Sequence, residues 1–213
     1  MSDNTRLETL VNRIKAAEDK LAALEEKYND PVERIKRALL EKHVFSGKFV
    51  TVQEGYYDLT LEQRAELLKC TVPQLCKSII FENTMHDPSV EDSVTNSKYY
   101  CVITQYKAKI NVMSLRTLVH ELRKPEDRLS KKRFHFQLAD DQVGFELSGF
   151  GHNAISPIGM KTDIPVIVCR RILEVPNSII FLGGGKVDVK LALPVADVIS
   201  ATKAFVGDIT EDR

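Results

Sequence analysis

From residue 43 onward the apolar residues of this chain fall in short runs cut by Gly, Pro, Asn and Asp. The runs switch irregularly between strand-like and helix-like patterning. A doubly wound parallel sheet needs regular strand–helix repeats, so the punctuation argues against one and predicts an α+β fold. The 213 residues suit one domain of ordinary size with an appendage, and 43% apolar residues suffice for a sizeable core. No apolar run reaches about 18 residues, so no membrane span and no membrane partner is expected. The N-terminus is charged and lacks an apolar stretch of the kind signal peptides carry. The four cysteines, at 70, 76, 101 and 169, match no metal-ligand spacing. A reduced, cytoplasmic protein without a metal or other cofactor is expected.

The appendage lies at the start. Apolar groups at Leu7, Leu10, Ile14, Ala17, Leu21, Leu24 and Tyr28 alternate in steps of three and four. That is a coiled-coil seam, and it predicts a helix over 5–28 with Ser2, Asp3 and Asn4 as capping candidates. Asn29-Asp30-Pro31 ends it and starts a second helix, striped by Val32, Ile35, Leu39 and Leu40. Residues 1–42 are therefore expected to form a helical hairpin, an arm set apart from a body at 43–213. Three heptads make a weak isolated coil, so the arm needs a partner: itself, the body or another protein.

In the body, Thr60 is placed to cap a helix from Leu61 to Lys69, and Thr71 to Cys76 reads as a second short turn of helix. Strands are expected at 44–52, 77–81, 99–104, 134–138, 166–169, 178–182 and 187–191. Helices are expected at 114–122, 139–147 and 194–203. Residues 83–98 are polar and read as a surface loop. Gly183-Gly184-Gly185-Lys186 lacks the P-loop spacing and lies between strands, so a hairpin turn accounts for it.

Two stretches carry chemistry. Lys77 heads an apolar strand directly after Cys76, so its charge must reach solvent or meet an anion. Gly149-Phe150-Gly151-His152-Asn153-Ala154-Ile155-Ser156-Pro157-Ile158-Gly159 is a loop whose backbone amides can come close to a ligand. Ser156 is not in a Gly-x-Ser-x-Gly elbow, and a His152–Ser156 pair lacks a third member. A cation and a bend of amides together suit an oxyanion. Net charge is zero, but residues 98–133 carry ten basic and three acidic groups. That block is a solvated face or the footprint of a phosphate backbone.

Leu67 to Phe81, with its Val-Pro step and Lys77-Ser78, resembles the Lys-Thr strand of the YbaK/prolyl-tRNA-synthetase-associated editing domains. Phe145 to Gly159 is similar to their Gly-x-x-x-Gly-Gly-x-Ser-Pro-x-Gly loop. The resemblance covers roughly residues 43–208. It implies a mixed-sheet, barrel-like fold and hydrolysis of the ester joining a wrong amino acid to tRNA. Water, assisted by the ribose hydroxyl of the tRNA, would attack the ester carbonyl. Lys77 would hold a terminal phosphate or orient the ester. Backbone from Gly149 through Gly151, His152, Asn153 and Ala154 to Ile155 would line the amino-acid pocket, and Ser156-Pro157 would shape the loop. Tyr56 or Tyr57 would border the adenosine. The chain departs from the family at Ser78, where a threonine is common, and at Asn153-Ala154, where Gly-Gly is frequent.

Three functions follow from these features. The first is a trans-acting aminoacyl-tRNA deacylase. The second is a non-catalytic, tRNA-binding component of an aminoacyl-tRNA synthetase assembly, with the arm recruiting synthetase or complex subunits or self-associating. The third is a general RNA binder using the 98–133 block, with affinity that falls steeply with salt.

Overall fold

A computed structural model describes residues 3–90 and 94–212 of the protein, with side chains over 8–90 and 94–211. The capping candidates Ser2, Asp3 and Asn4, the seam residue Leu7 and residues 91–93 of the polar loop lie outside the described side chains. The fold is α+β. Helix α1 (Asp3–Asn29) leads through Asp30 into α2 (Pro31–Glu41). The Asp30 carboxylate accepts the N–H groups of Val32 and Glu33 at 2.9 and 3.2 Å, and Pro31 fills the first turn, as the sequence predicts. Among the described residues, no helix is long and apolar enough to cross a membrane.

The main sheet holds five strands in the order β5-β2-β3-β6-β9. Strands β2 (Cys76–Asn83), β3 (Tyr99–Gln105) and β5 (Phe136–Leu138) pair antiparallel. Strand β6 (Val166–Cys169) pairs parallel with β3, and β9 (Phe205–Gly207) parallel with β6. A second, antiparallel sheet has the order β1-β8-β7, from β1 (Lys48–Thr51), β7 (Ile179–Gly183) and β8 (Val189–Pro194). The sheets meet where Leu75, just before β2, bridges Phe181 of β7. Helices α3 (Leu61–Leu67), α4 (Val112–Glu121), α5 (Asp141–Ser148) and α6 (Val195–Thr202) complete the body. A third pair joins β4 (Ala108–Ile110) to β10 (Thr210–Asp212), and neither β9 nor β10 was expected from sequence.

The core explains the element choices. Val102, Ile103, Ile167, Val168 and Leu191 are fully buried, and these β-branched and aliphatic runs cover strands packed on both faces. Thr60 caps α3 in a reciprocal box with Gln63. Helix α4 starts two residues earlier than the sequence suggests, because the Asn111 side chain takes the N–H groups of Met113 and Ser114 at 3.0 Å each. The polar stretch after β2 is no solvated loop at its ends. Asn83 is fully buried, and its side chain accepts from His135 N–H and donates to the Arg133 carbonyl.

The packing of the N-terminal helices differs from the expected arm. Ile35 and Leu39 of α2 lie in the main core, 0% and 4% exposed. Helix α1 is exposed along all of residues 8–29. So α2 packs with the body, and only α1 projects. The reason is how α2 uses its stripe: Ile35 and Leu39 go into the core, and Leu40 stays 60% exposed.

Candidate functional site

Lys77 and the glycine-rich loop line one cavity of about 370 Å³, inside the range of small-molecule sites. Strand β2 contributes Cys76 through Ile80, and the loop after α5 contributes Phe150, His152, Asn153 and Ile155. Tyr57, Tyr106, Asp140, Asp141, Phe145 and Gly183 also line it. The Lys77 ammonium lies 5.7 Å from the Tyr106 ring centre. Beside it, Ser78 is 8% exposed, and its hydroxyl has no hydrogen-bond partner among the described residues. A buried hydroxyl without a partner is costly.

The loop is held from three sides. At its base, Gly149 takes φ +68° as the left-handed residue after α5. A Cβ there would lie 2.8 Å from both the Arg34 guanidinium and the Lys161 side chain. Arg34 reaches from α2 to donate to the carbonyls of Gly159 at 2.6 Å, Gly149 at 2.9 Å and Ser148 at 3.0 Å. Its guanidinium also covers the Phe150 ring at 4.5 Å. It thereby satisfies carbonyls that the end of α5 leaves open. From the second side, Gly183 lets β7 approach: a Cβ there would lie 2.4 Å from the Ile155 oxygen. The Gly185 amide donates to the Ala154 carbonyl at 3.1 Å. The triple glycine is thus the closing end of the β7–β8 hairpin and a brace for the loop.

The third side is Tyr57. Its hydroxyl donates to the Asn153 carbonyl at 2.6 Å and accepts from Lys190 Nζ at 2.7 Å. Lys190 is 4% exposed and lies 4.3 Å from the Tyr57 ring centre and 5.0 Å from that of Tyr56. Burial pulls its ammonium down to about 8, with Arg64 pushing the same way. Burial likewise raises the Tyr57 phenol, keeping it a protonated donor. Asn153 takes φ +62°, a backbone state that asparagine tolerates and glycine would supply.

The expected site residues separate into groups. Lys77, Ser78, Tyr57, His152, Asn153 and Ile155 line the cavity. Tyr56 does not: it is 6% exposed in a small second core with Val52, Ala65 and Leu68. Ala154 and Ser156 are 2% and 0% exposed, Pro157 is also buried, and none of the three lines the cavity. Ser156 Oγ accepts the Ile158 amide at 3.2 Å, whereas His152 is exposed, 3.8 Å from Asp141. These two residues have separate partners, which removes the Ser–His pair. The amide of Gly149 is taken by the Phe145 carbonyl, and that of Ala154 by the Gly151 carbonyl. Among the described residues, no hydrogen bond takes the amides of His152, Asn153 or Ile155. These three residues line the cavity.

No thiol in the site is poised to attack. Cys76 lines the cavity, but burial raises its thiol far above neutral pH, and burial also pushes Cys70 up to about 11. The cavity therefore offers an ammonium, backbone amides and, from Asp140 and Asp141, two carboxylates. Such a set binds and polarises an ester or a phosphate without a protein nucleophile. The basic block lies elsewhere, and several of its cations are spent on structure. Arg116 donates to the Lys131 carbonyl, Arg128 to the Arg123 carbonyl, and Arg133 pairs with Asp87.

No family model matches the chain. No curated protein matches it either. Among solved structures it is similar to a candidate trans-editing enzyme for prolyl tRNA synthetase, at 18% identity and a TM-score of 0.67, covering 85% of this chain and 97% of that one. A scaffold protein bearing a computationally grafted epitope backbone overlays at 17% identity and TM-score 0.66, covering 86% and 98%. A hypothetical protein does so at 18% identity and TM-score 0.64, covering 84% and 99%. At these identities the likeness is one of fold: an α+β body built on a mixed five-stranded sheet, as in the trans-editing protein it overlays.

Proposed function

We propose that the protein is a trans-acting deacylase for mischarged tRNA. The observation that carries this reading is the single cavity lined by Lys77, Ser78 and the amide-presenting turn at 152–155. The fold shared with a candidate trans-editing enzyme supports it. In this reading the Lys77 ammonium holds a phosphate of the terminal nucleotide or the ester. Water, assisted by the ribose hydroxyl vicinal to the ester, attacks the carbonyl carbon. The amides of His152, Asn153 and Ile155 take the charge that develops on the carbonyl oxygen. The tetrahedral intermediate then expels the ribose oxygen, which takes up a proton, releasing free amino acid and intact tRNA. Tyr57 and Lys190 fix the turn that presents those amides. Asn153 and Ile155, on the cavity wall, set the volume left for the amino-acid side chain.

A second reading, a tRNA-binding component of a synthetase assembly, is favoured by the exposure of α1. A panel of mischarged tRNAs incubated with the full chain separates the two. The deacylase reading predicts ester loss above the buffer rate for at least one pair, and loss of that activity in Lys77→Ala. Binding without hydrolysis of any member of the panel would favour the assembly component.

A further inference from the structure

We infer that α1 is the docking face for a second copy of this chain, the two helices running parallel and in register. Residues 8–29 are exposed throughout, and Leu10, Ile14, Leu21 and Leu24 are 45%, 58%, 57% and 64% exposed. These four and Ala17 fall on one seam. Helix α2 leaves the seam uncovered, and its own Ile35 and Leu39 are spent on the main core. The turn holds the end of α1: Arg37 covers the Tyr28 ring at 3.7 Å and donates to its carbonyl at 3.1 Å.

The flanks of the seam decide the occupant. With Ile14 and Leu21 at position a and Leu10, Ala17 and Leu24 at position d, the g row is Arg13, Lys20 and Lys27. The e row is Val11, Glu18 and Glu25. In a parallel in-register pair, each g side chain meets the e side chain five places later on its neighbour. Arg13 then faces Glu18, and Lys20 faces Glu25, with both pairs formed twice by symmetry. An antiparallel pair would set the basic row against itself and the acidic row against itself. Each helix thus carries both halves of the complement, which is the signature of a partner identical to itself. Ile14 at a with Leu10 and Leu24 at d also favours two strands. Three heptads with an alanine in the middle layer give a weak, concentration-dependent dimer.

Sedimentation of the full chain across a range of concentration tests this, together with Lys20→Glu, Glu25→Lys and the double reversal. All three changes lie on the exposed helix, away from the body's core. The wild type is expected to pass from monomer to dimer. Each single reversal turns two attractions into two repulsions and is expected to weaken the dimer about tenfold. The double reversal restores the wild-type constant, because it exchanges the rows. A chain that stays monomeric throughout leaves the face to a foreign helix and overturns the inference. So does a dimer that all three variants leave unchanged, or one that the double reversal weakens further.

Discussion

Lys190 shows how one residue can tune the candidate site from outside it. Its ammonium donates to the Tyr57 hydroxyl and the Val187 carbonyl between two aromatic faces, and through Tyr57 it fixes the Asn153 carbonyl. Burial pulls its pKa from 10.5 down to about 8. Below about 8 the folded and unfolded chains both carry the proton, and folding bears the full cost of burying the charge. Between about 8 and 10.5 the unfolded chain binds more protons than the folded one, so stability rises with pH across that window. Lys190→Met removes the contribution. Urea unfolding of both proteins at neutral pH and near pH 10 is expected to show the wild type gaining stability relative to the variant. Parallel behaviour of the two would contradict the buried, easily discharged lysine. Lys190 was legible in principle: it interrupts the apolar run Val189 to Leu193, as Lys77 does its own strand. What sequence could not show is that Tyr57 and Lys190, 133 residues apart, share a hydrogen bond.

At the scale of elements, the loop after α5 is shaped by its neighbours more than by its own glycines. Gly183, on β7, is pressed against the loop, whereas a Cβ on Gly151 would meet nothing within 4 Å. Gly183→Ala is expected to cost about 1–3 kcal/mol by forcing backbone apart. Gly151→Ala is expected to stay within about 0.5 kcal/mol of wild type. Urea midpoints of the two variants check this, and equal effects would mean that the loop is not braced by β7. The sequence marked both stretches as turns, because glycine announces a break in patterning. It could not show that the two turns touch, nor that Arg34 on α2 clamps the loop's base from more than 110 residues away. Strands β9 and β10 escaped notice because each spans three residues, too few for a period-two pattern to register.

At the scale of the molecule, the chain divides by packing at residue 30, and the helix pattern alone suggested residue 42. Helix α2 supplies Ile35 and Leu39 to the core and Arg34 to the site loop, and α1 supplies neither. Removing residues 1–29 is expected to leave the urea midpoint of the body within error. Removing 1–42 is expected to cost at least about 3–5 kcal/mol, since two large core side chains go at once. A loss of stability from the shorter deletion would show that α1 packs on the body. The α+β class and the helix starts at Thr60 and Pro31 were legible in the patterning, and the pairing of Lys77 with the glycine loop only through the family resemblance. The two stretches converge because β5, which pairs with β2, leads into the helix that delivers the loop, a matter of sheet order that local patterning does not encode.

The account turns on the Lys77 ammonium and the 152–155 amides acting on one ester. The most direct measurement is the single-turnover rate of ester loss from a mischarged tRNA that the wild type hydrolyses, compared with Lys77→Ala. A fall of about a hundredfold, the scale for losing one electrostatic contact to a developing charge, is predicted. An unchanged rate in a folded Lys77→Ala protein would contradict it.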